Sequence, residues 1–101
     1  MYRQLSEPIE VWARFQAGRP RIVRLFFRRQ GRLFQVRQVH FYHTEQRGEA
    51  LIHHLSVTAA PVSLSAGLPA RPRPVGPLRC FELSFNAKKL SWLLEKLYEP
   101  E

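Results

Sequence analysis

Arginine is the residue type whose number and spacing in this sequence point most directly to chemistry. The chain has 13 arginines against 3 lysines, and a net charge of +8. No acidic residue lies between Glu10 and Glu45, whereas eight arginines do. A guanidinium group makes planar, bidentate contacts with phosphate and stacks on aromatic rings, which a lysine ammonium cannot do. The interval from 11 to 44 is therefore predicted to form a surface that binds phosphate groups.

The arginines in this interval alternate with β-branched and aromatic residues from Arg19 to Tyr42. An alternation with period two gives one face of a strand to a core and the other face to solvent. Gly31 interrupts the alternation among polar residues, and glycine allows the positive φ of a tight hairpin turn. The segment is therefore predicted to be a cationic β-hairpin with its turn at residues 29–32.

A second alternating stretch runs from Ile9 to Phe15 and puts Trp12 on the same outward side as Arg14. Sheets that present arginines beside an aromatic ring commonly bind single-stranded nucleic acid, with phosphates held by charge and bases stacked on the ring. The predicted function is a non-catalytic nucleic-acid-binding module. Its candidate binding residues are Trp12, Arg14, Arg24, Arg28 and Arg37.

The alternative function is a protein-interaction or structural accessory domain. An acidic protein partner would be attracted by the same positive charge. The C-terminal Leu93, Leu97 and Tyr98 could also leave an exposed apolar patch, which often marks a partner surface. The oligomeric state and the choice among DNA, RNA and protein stay open at this point.

The four histidines raise the possibility of a metal site. If the strands on either side of a turn at residues 45–48 pair, His40 would lie opposite His53 or His54. Two imidazoles with Cys80 or Glu45 could then bind zinc. No zinc signature is present, so ordinary strand histidines and no bound metal are predicted.

Enzymatic chemistry has little support in the sequence. There is no aspartate, no nucleophilic serine motif, no P-loop and no dinucleotide fingerprint. Cys80 sits in an apolar strand context, where a thiol usually packs rather than reacts. We therefore predict no enzyme activity and no cofactor. A single cysteine, no leader-like N-terminus and no apolar run of roughly 20 residues predict a cytoplasmic location without membrane insertion.

Length and composition predict one domain over residues 1–101, because 45% hydrophobic residues in a chain of this size supply one core. The predicted fold class is mainly β, a curled antiparallel sheet or barrel of five or six strands. A change of apolar phase between Val36 and Val39 predicts a β-bulge near Arg37 and Gln38. Residues 50–58 are predicted as a strand. The proline-rich segment 60–77 is predicted as a loop, whose Arg71 and Arg73 either extend the basic surface or only link elements.

The C-terminal segment follows a clear strand from Arg79 to Phe85 and fits two structures. Leucines at 90, 93, 94 and 97 match the helical template, and periodicity alone slightly favours a helix. Residues 90–98 also alternate, with a hairpin turn at 86–89. The predicted core consists of Ile9, Val11, Phe15, Val23, Leu25, Phe27, Phe34, Val36, Leu55, Val57, Phe81, Leu83 and Phe85.

Several of these stretches resemble a known family. They are Pro8-Ile9-Glu10-Val11, Gly18-Arg19-Pro20, Gly31-Arg32 followed by Val36 and Val39, Phe81-Glu82-Leu83-Ser84-Phe85, and then Trp92, Leu94 and Tyr98. Together they look like a small bacterial β-domain family of unknown function, also found appended to ImuB-like relatives of Y-family DNA polymerases. The match covers about half the chain, and the acidic, tryptophan-rich middle of that family is absent. The resemblance implies an antiparallel β domain whose last segment is a strand carrying Trp92, so a strand is predicted there with the helix as the alternative. It implies no catalytic residues.

Overall fold

A computed structural model of the chain describes residues 2–15, 22–64 and 72–99. These residues form seven antiparallel strands and no helix, which confirms the mainly-β prediction. Accordingly, none of the described residues belongs to a helix that could cross a membrane. The strands are β1 (Tyr2–Phe15), β2 (Ile22–Arg29), β3 (Arg32–Arg47), β4 (Ala50–Leu64), β5 (Pro72–Pro74), β6 (Arg79–Asn86) and β7 (Ser91–Tyr98).

Six of the strands close into a ring. Their order is β3-β2-β1-β7-β6-β4, and β3 also pairs with β4, so the sheet is a small antiparallel barrel. The short β5 pairs with the end of β4, beyond the residues that pair with β6. Closure leaves few unpaired backbone groups, which is how a small β domain avoids open edges.

The central hairpin forms as predicted. Gln30 and Gly31 occupy the turn between β2 and β3 with φ values of 51° and 76°. Two positive φ values in a two-residue loop characterise the type I′ turn, whose twist matches that of the flanking strands. The turn sets the register in which Phe27 lies opposite Phe34 and Arg29 opposite Arg32.

The predicted bulge is also present. The pairing of β3 with β4 shifts register between Val36 and Gln38, and it shifts again between Val39 and Phe41. Each bulge bends the strand and increases its twist. The two together curl a β3 that is longer than predicted, since it runs to Arg47 and turns through Gly48 and Glu49.

The extent of β1 was predicted wrongly. The strand begins at Tyr2 rather than Ile9, because its first residues pair with β7, with Tyr2 opposite Tyr98. An irregularity between Gln4 and Glu7, where Ser6 has a φ of 51°, interrupts this pairing. Local composition could not reveal a strand whose partner lies at the far end of the chain.

The loop predicted for residues 60–77 is wrong at its start, and a short strand interrupts it, while residues 75–77 lie outside any strand. β4 continues to Leu64, and β5 occupies residues 72–74, while 65–71, including Arg71, lie outside the described residues. Pro61 is tolerated within β4 because its missing donor falls on the side away from β3, so no hydrogen bond between β3 and β4 is lost. Its carbonyl accepts a hydrogen bond from the Val75 amide at 2.9 Å. In an antiparallel strand the amide and carbonyl of one residue point to the same side. The missing amide therefore faces Val75, and the pairing with Phe34 on the other side is unaffected.

The C-terminal segment is a strand, so the helix alternative is wrong. The Asn86 side-chain oxygen accepts hydrogen bonds from the amides of Lys88 and Lys89, both at 3.0 Å, and closes the turn into β7. β7 then pairs with both β6 and β1 and completes the ring. Pairing on two sides, with Leu94 and Leu97 buried, outweighs the weak helical periodicity.

The core lies inside the ring and centres on three phenylalanines. Phe27 stacks on Phe34 at 5.1 Å between ring centroids, and both meet Phe81 edge-on at 5.2 and 5.4 Å. Of the predicted core, the buried residues are Leu25, Phe27, Phe34, Leu55, Val57, Phe81 and Leu83, while Ile9, Val11, Val36 and Phe85 are partly buried. The side chains of Phe15 and Val23 lie outside the described residues. The buried residues of the hydrophobic core that were not predicted are Ile52, Ala59, Ala60, Val62, Leu94 and Leu97.

Candidate nucleic-acid interface

The outer face of β1 and β2 carries Trp12 beside an arginine. Leu25 and Phe27 are buried, so the alternating Arg24 and Arg28 of β2 point outward and are exposed. The Arg28 guanidinium carbon lies 5.3 Å from the centroid of the Trp12 ring. Trp12 remains 45% exposed. This cation–π contact orients the arginine while leaving part of the aromatic surface open to solvent.

Two further arginines lie directly opposite each other on the same face. Arg14 of β1 is the cross-strand partner of Arg24 of β2, and both are exposed. Like charges directly opposite each other in a sheet are destabilising. Neither arginine takes part in any ion pair found among the described residues. An anion held between them would relieve the repulsion.

Glu10 is the acidic residue on this face, opposite Arg28 in the register of β1 and β2. No ion pair joins the two side chains within the described part of the chain. We call the surface made by Trp12, Arg14, Arg24 and Arg28 the Arg-Trp face. Its charge is therefore positive, with one neighbouring carboxylate.

Arg37 lies on β3, beyond the residues that pair with β2. The pairing of β2 with β3 ends at Phe26 and Gln35, and Arg37 falls beyond it, within the first bulge of β3. Its side chain is exposed. Four of the five predicted binding residues thus lie on the paired strands β1 and β2, and the fifth lies on β3 past the end of its pairing with β2.

No family model, curated protein or solved structure matches this chain. The resemblance to the bacterial β-domain family therefore stays a prediction.

The histidines pair differently from the prediction. His43, not His40, lies opposite His54, and their rings stack at 4.7 Å between centroids. The two bulges in β3 shift the register and leave His40 unpaired in the ladder, beside the Thr58 hydroxyl. Within residues 2–15, 22–64 and 72–99, no group of three or more histidine, cysteine or acidic side chains is placed to hold a metal ion. Cys80 is partly buried in β6.

Glu45 connects the histidine pair to the charged tip of the β3–β4 hairpin. Its carboxylate accepts hydrogen bonds from His54 Nε2 and from Arg47 Nη2, both at 2.9 Å. The hydrogen bond from His54, followed by that from Arg47, lowers the pKa of Glu45 below its ordinary value. The carboxylate thus stays charged further into the acid range than a free glutamate.

We expect Glu45→Gln to flatten the acid side of the stability profile. A carboxylate whose pKa is lower in the folded state contributes stability that is complete above its unfolded pKa and is lost as the pH falls through the folded value. The loss should therefore begin near pH 4.5, the ordinary value, and continue below it. Thermal midpoints measured from pH 3 to pH 7 would test this. Glu10→Gln, at a carboxylate without an ion pair among the described residues, is the matched control. Identical profiles for Glu45→Gln and the wild type would contradict the assigned contacts.

The exposed apolar patch that was predicted at the C-terminus for a protein-interaction domain is only partly present. Leu97 is buried in the core, Leu93 is partly buried, and Tyr98 is exposed at the end of β7, edge-on to Tyr2 at 5.3 Å. Side chains that are more exposed lie on β3 beyond its pairing with β2, where Phe41 is 60% exposed and Tyr42 is 53% exposed. β3 extends past the end of its pairing with β2 here, a feature that sequence periodicity does not reveal.

Proposed function

We propose that this chain is a non-catalytic module that binds nucleic acid through the Arg-Trp face, without strong sequence preference. The observation that carries the proposal is the placement of Arg28 over an exposed Trp12 ring, next to the opposed pair Arg14 and Arg24. The arginines would hold phosphates, and the indole would stack on a base. A role on nucleic acid agrees with the cytoplasmic location that the sequence predicts.

The spacing of the arginines suits an extended polyanion. Arg24 and Arg28 are four residues apart on one strand, which corresponds to roughly 13 Å. That distance exceeds the axial rise of roughly 3.4 Å per phosphate along one strand of a duplex several times over, so the two guanidiniums would contact different phosphates. A bound nucleic-acid strand that continued from β2 toward β3 would reach Arg37, so we include Arg37 in the binding surface.

The direct test is fluorescence anisotropy with labelled single- and double-stranded oligonucleotides across a salt series. If the module contacts five or so phosphates, the logarithm of affinity should fall with the logarithm of salt concentration by roughly 0.7 per phosphate for single strands. Oligonucleotides of different sequence should bind alike, because phosphate contacts carry no sequence information. Failure to bind any oligonucleotide at low salt would overturn the proposal.

We expect Trp12→Ala to weaken single-strand binding by about 1–3 kcal/mol, the usual contribution of one base stacked on an aromatic side chain. Trp12→Phe should retain most of the affinity, since the smaller ring can still stack. The salt slope should be nearly unchanged in both variants, because neither removes a positive charge. Equal losses in the two variants would show that the ring does not act as a stacking platform.

The second candidate function, a protein-interaction module, is favoured by the exposed side chains of Val39, Phe41 and Tyr42 on β3. Val39 and Tyr42 lie opposite Val57 and Leu55 of β4 and so belong to one face of the sheet, whereas Phe41 points to the other face. Exposed apolar side chains often mark partner or self-association surfaces. Sedimentation at high concentration and affinity capture would test it, with Phe41→Ser as the disrupting variant. A strict monomer that recovers no partner would count against this function and leave the nucleic-acid proposal unaffected.

A further inference from the structure

One end of the barrel carries three arginines at inward-facing positions. Arg29 of β2 and Arg79 of β6 each lie two residues from a buried phenylalanine, Phe27 and Phe81. Arg32 is the cross-strand partner of Arg29. Side chains two residues apart on a strand point to the same face. The three guanidinium groups therefore belong to the inner face at the mouth of the barrel, on the opposite side of the sheet from Arg28.

The mouth encloses a cavity of about 250 Å³. Phe34, Pro61 and Pro77 line it together with the three arginines, and we call this site the arginine mouth. Phe34 belongs to the phenylalanine cluster of the core, so one wall of the cavity is a packed aromatic ring. The cavity is smaller than the roughly 300–1,000 Å³ of typical small-molecule pockets, which suits a compact ligand.

The charge of the arginine mouth is not balanced by the protein. Arg29 is paired with Glu7 at 3.1 Å, and its side chain is only 13% exposed. Arg32 and Arg79 take part in none of the ion pairs within the described residues. Two uncompensated positive charges therefore face one small cavity. Repulsion between such charges is strengthened by the low-dielectric wall beside them.

We propose that the arginine mouth binds a phosphomonoester dianion. Such a group carries close to two negative charges at neutral pH and presents three strong acceptor oxygens. Guanidinium groups at different points around the cavity can contact separate oxygens, and Arg29 is already held in place by Glu7. A carboxylate would carry about half the charge of a phosphomonoester. A phosphodiester inside a nucleic-acid strand carries a single charge, and the nucleic-acid backbone extends from it in both directions. The ligand chemistry is therefore a terminal phosphate, either on the end of a nucleic-acid strand or on a free nucleotide or inorganic phosphate.

The experiment compares oligonucleotides of one sequence that carry either a 5′-phosphate or a 5′-hydroxyl, each labelled at the 3′ end. A second arm compares a 3′-phosphate with a 3′-hydroxyl, each labelled at the 5′ end. Inorganic phosphate and a nucleoside 5′-monophosphate are measured by calorimetry as the free forms. We expect a terminal phosphate to tighten binding by about tenfold, since charge-assisted hydrogen bonds contribute at least this much. Arg32→Gln and Arg79→Gln should each reduce that preference to less than about threefold. Both side chains are exposed, so these variants should stay folded.

Arg47→Gln is the matched control, because it removes one positive charge at the tip of the β3–β4 hairpin and should keep the full preference. Oligonucleotide binding with no preference for a terminal phosphate, and no binding of the free forms, would overturn this inference and leave the proposed function standing. Binding of the free forms that is lost in Arg32→Gln and Arg79→Gln, without binding of oligonucleotides, would support the inference and overturn the proposed function. A preference that survives both glutamine variants would show that the phosphate binds elsewhere and would also overturn the inference.

Discussion

Phe81→Ala is expected to lower the free energy of unfolding by about 3–5 kcal/mol. The side chain is 1% exposed and contacts both Phe27 and Phe34 edge-on. Its removal would lose the transfer free energy of a large ring and leave a cavity that two stacked rings on neighbouring strands cannot close. Domains of this size have total stabilities of about 5–15 kcal/mol, so the variant should unfold at much lower denaturant concentration. Equilibrium unfolding in guanidinium chloride, followed by far-ultraviolet circular dichroism, would measure the change.

Phe41→Ala provides the control for this substitution. The same chemical group is deleted, but the Phe41 ring is 60% exposed on the outer half of β3. Exposed substitutions usually change stability by no more than about 0.5 kcal/mol. If the two alanine variants lost similar stability, the phenylalanine cluster would not be the centre of the core.

The parts of the fold that sequence could predict are those decided by neighbouring residues. The turn at Gln30 and Gly31 follows from the need for two positive φ values in a two-residue loop. The bulge near Arg37 follows from the spacing of Val36 and Val39, which breaks the strand period. In both places the chemistry of a few adjacent residues determines the backbone, and the prediction is correct.

The errors lie where distant pairing decides the outcome. Residues 2–8 become strand because β7 lies beside them, and β7 is a strand because β1 and β6 pair with both of its edges. Pro61 is accommodated because its carbonyl side faces Val75, a residue 14 positions later in the chain. No local pattern contains these partners, so periodicity alone slightly favoured a helix for residues 90–98, and proline content predicted a loop for residues 60–77.

In the candidate site, too, neighbouring residues decide some features and distant strand pairing decides others. Alternation alone placed Trp12 and Arg14 on one face and Arg24 and Arg28 outward on the next strand. The register that sets Arg14 opposite Arg24 and puts Arg28 over the indole depends on backbone pairing and was not predictable. The arginine mouth was missed although a signal existed. Arg29 and Arg79 lie in the same strand phase as predicted core residues, and an arginine in core phase at a strand end indicates a barrel mouth.

Reversing two charges on the Arg-Trp face, with Arg24→Glu and Arg28→Glu together, is expected to have the largest effect on nucleic-acid binding. Loss of two phosphate contacts should reduce the salt slope by roughly 1.4 for single strands. At 50 mM salt each lost contact should lower the logarithm of the binding constant by roughly 0.9. The two lost contacts together should therefore reduce affinity about 60-fold. At 200 mM the same arithmetic gives about tenfold. The added glutamates would repel phosphate, so these values are lower bounds.

The control is the pair Arg3→Glu and Arg47→Glu, which changes the net charge by the same amount away from the Arg-Trp face. Both arginines form exposed ion pairs, with Glu99 and with Glu45. Because salt screens charges beyond about 10 Å at 0.1 M, the control pair should weaken binding by less than about threefold. Anisotropy titrations at 50, 100 and 200 mM salt would measure both pairs, with thermal midpoints to check that each variant is folded. Equal losses for the two pairs would show that net charge alone attracts nucleic acid and that the Arg-Trp face is not its binding surface.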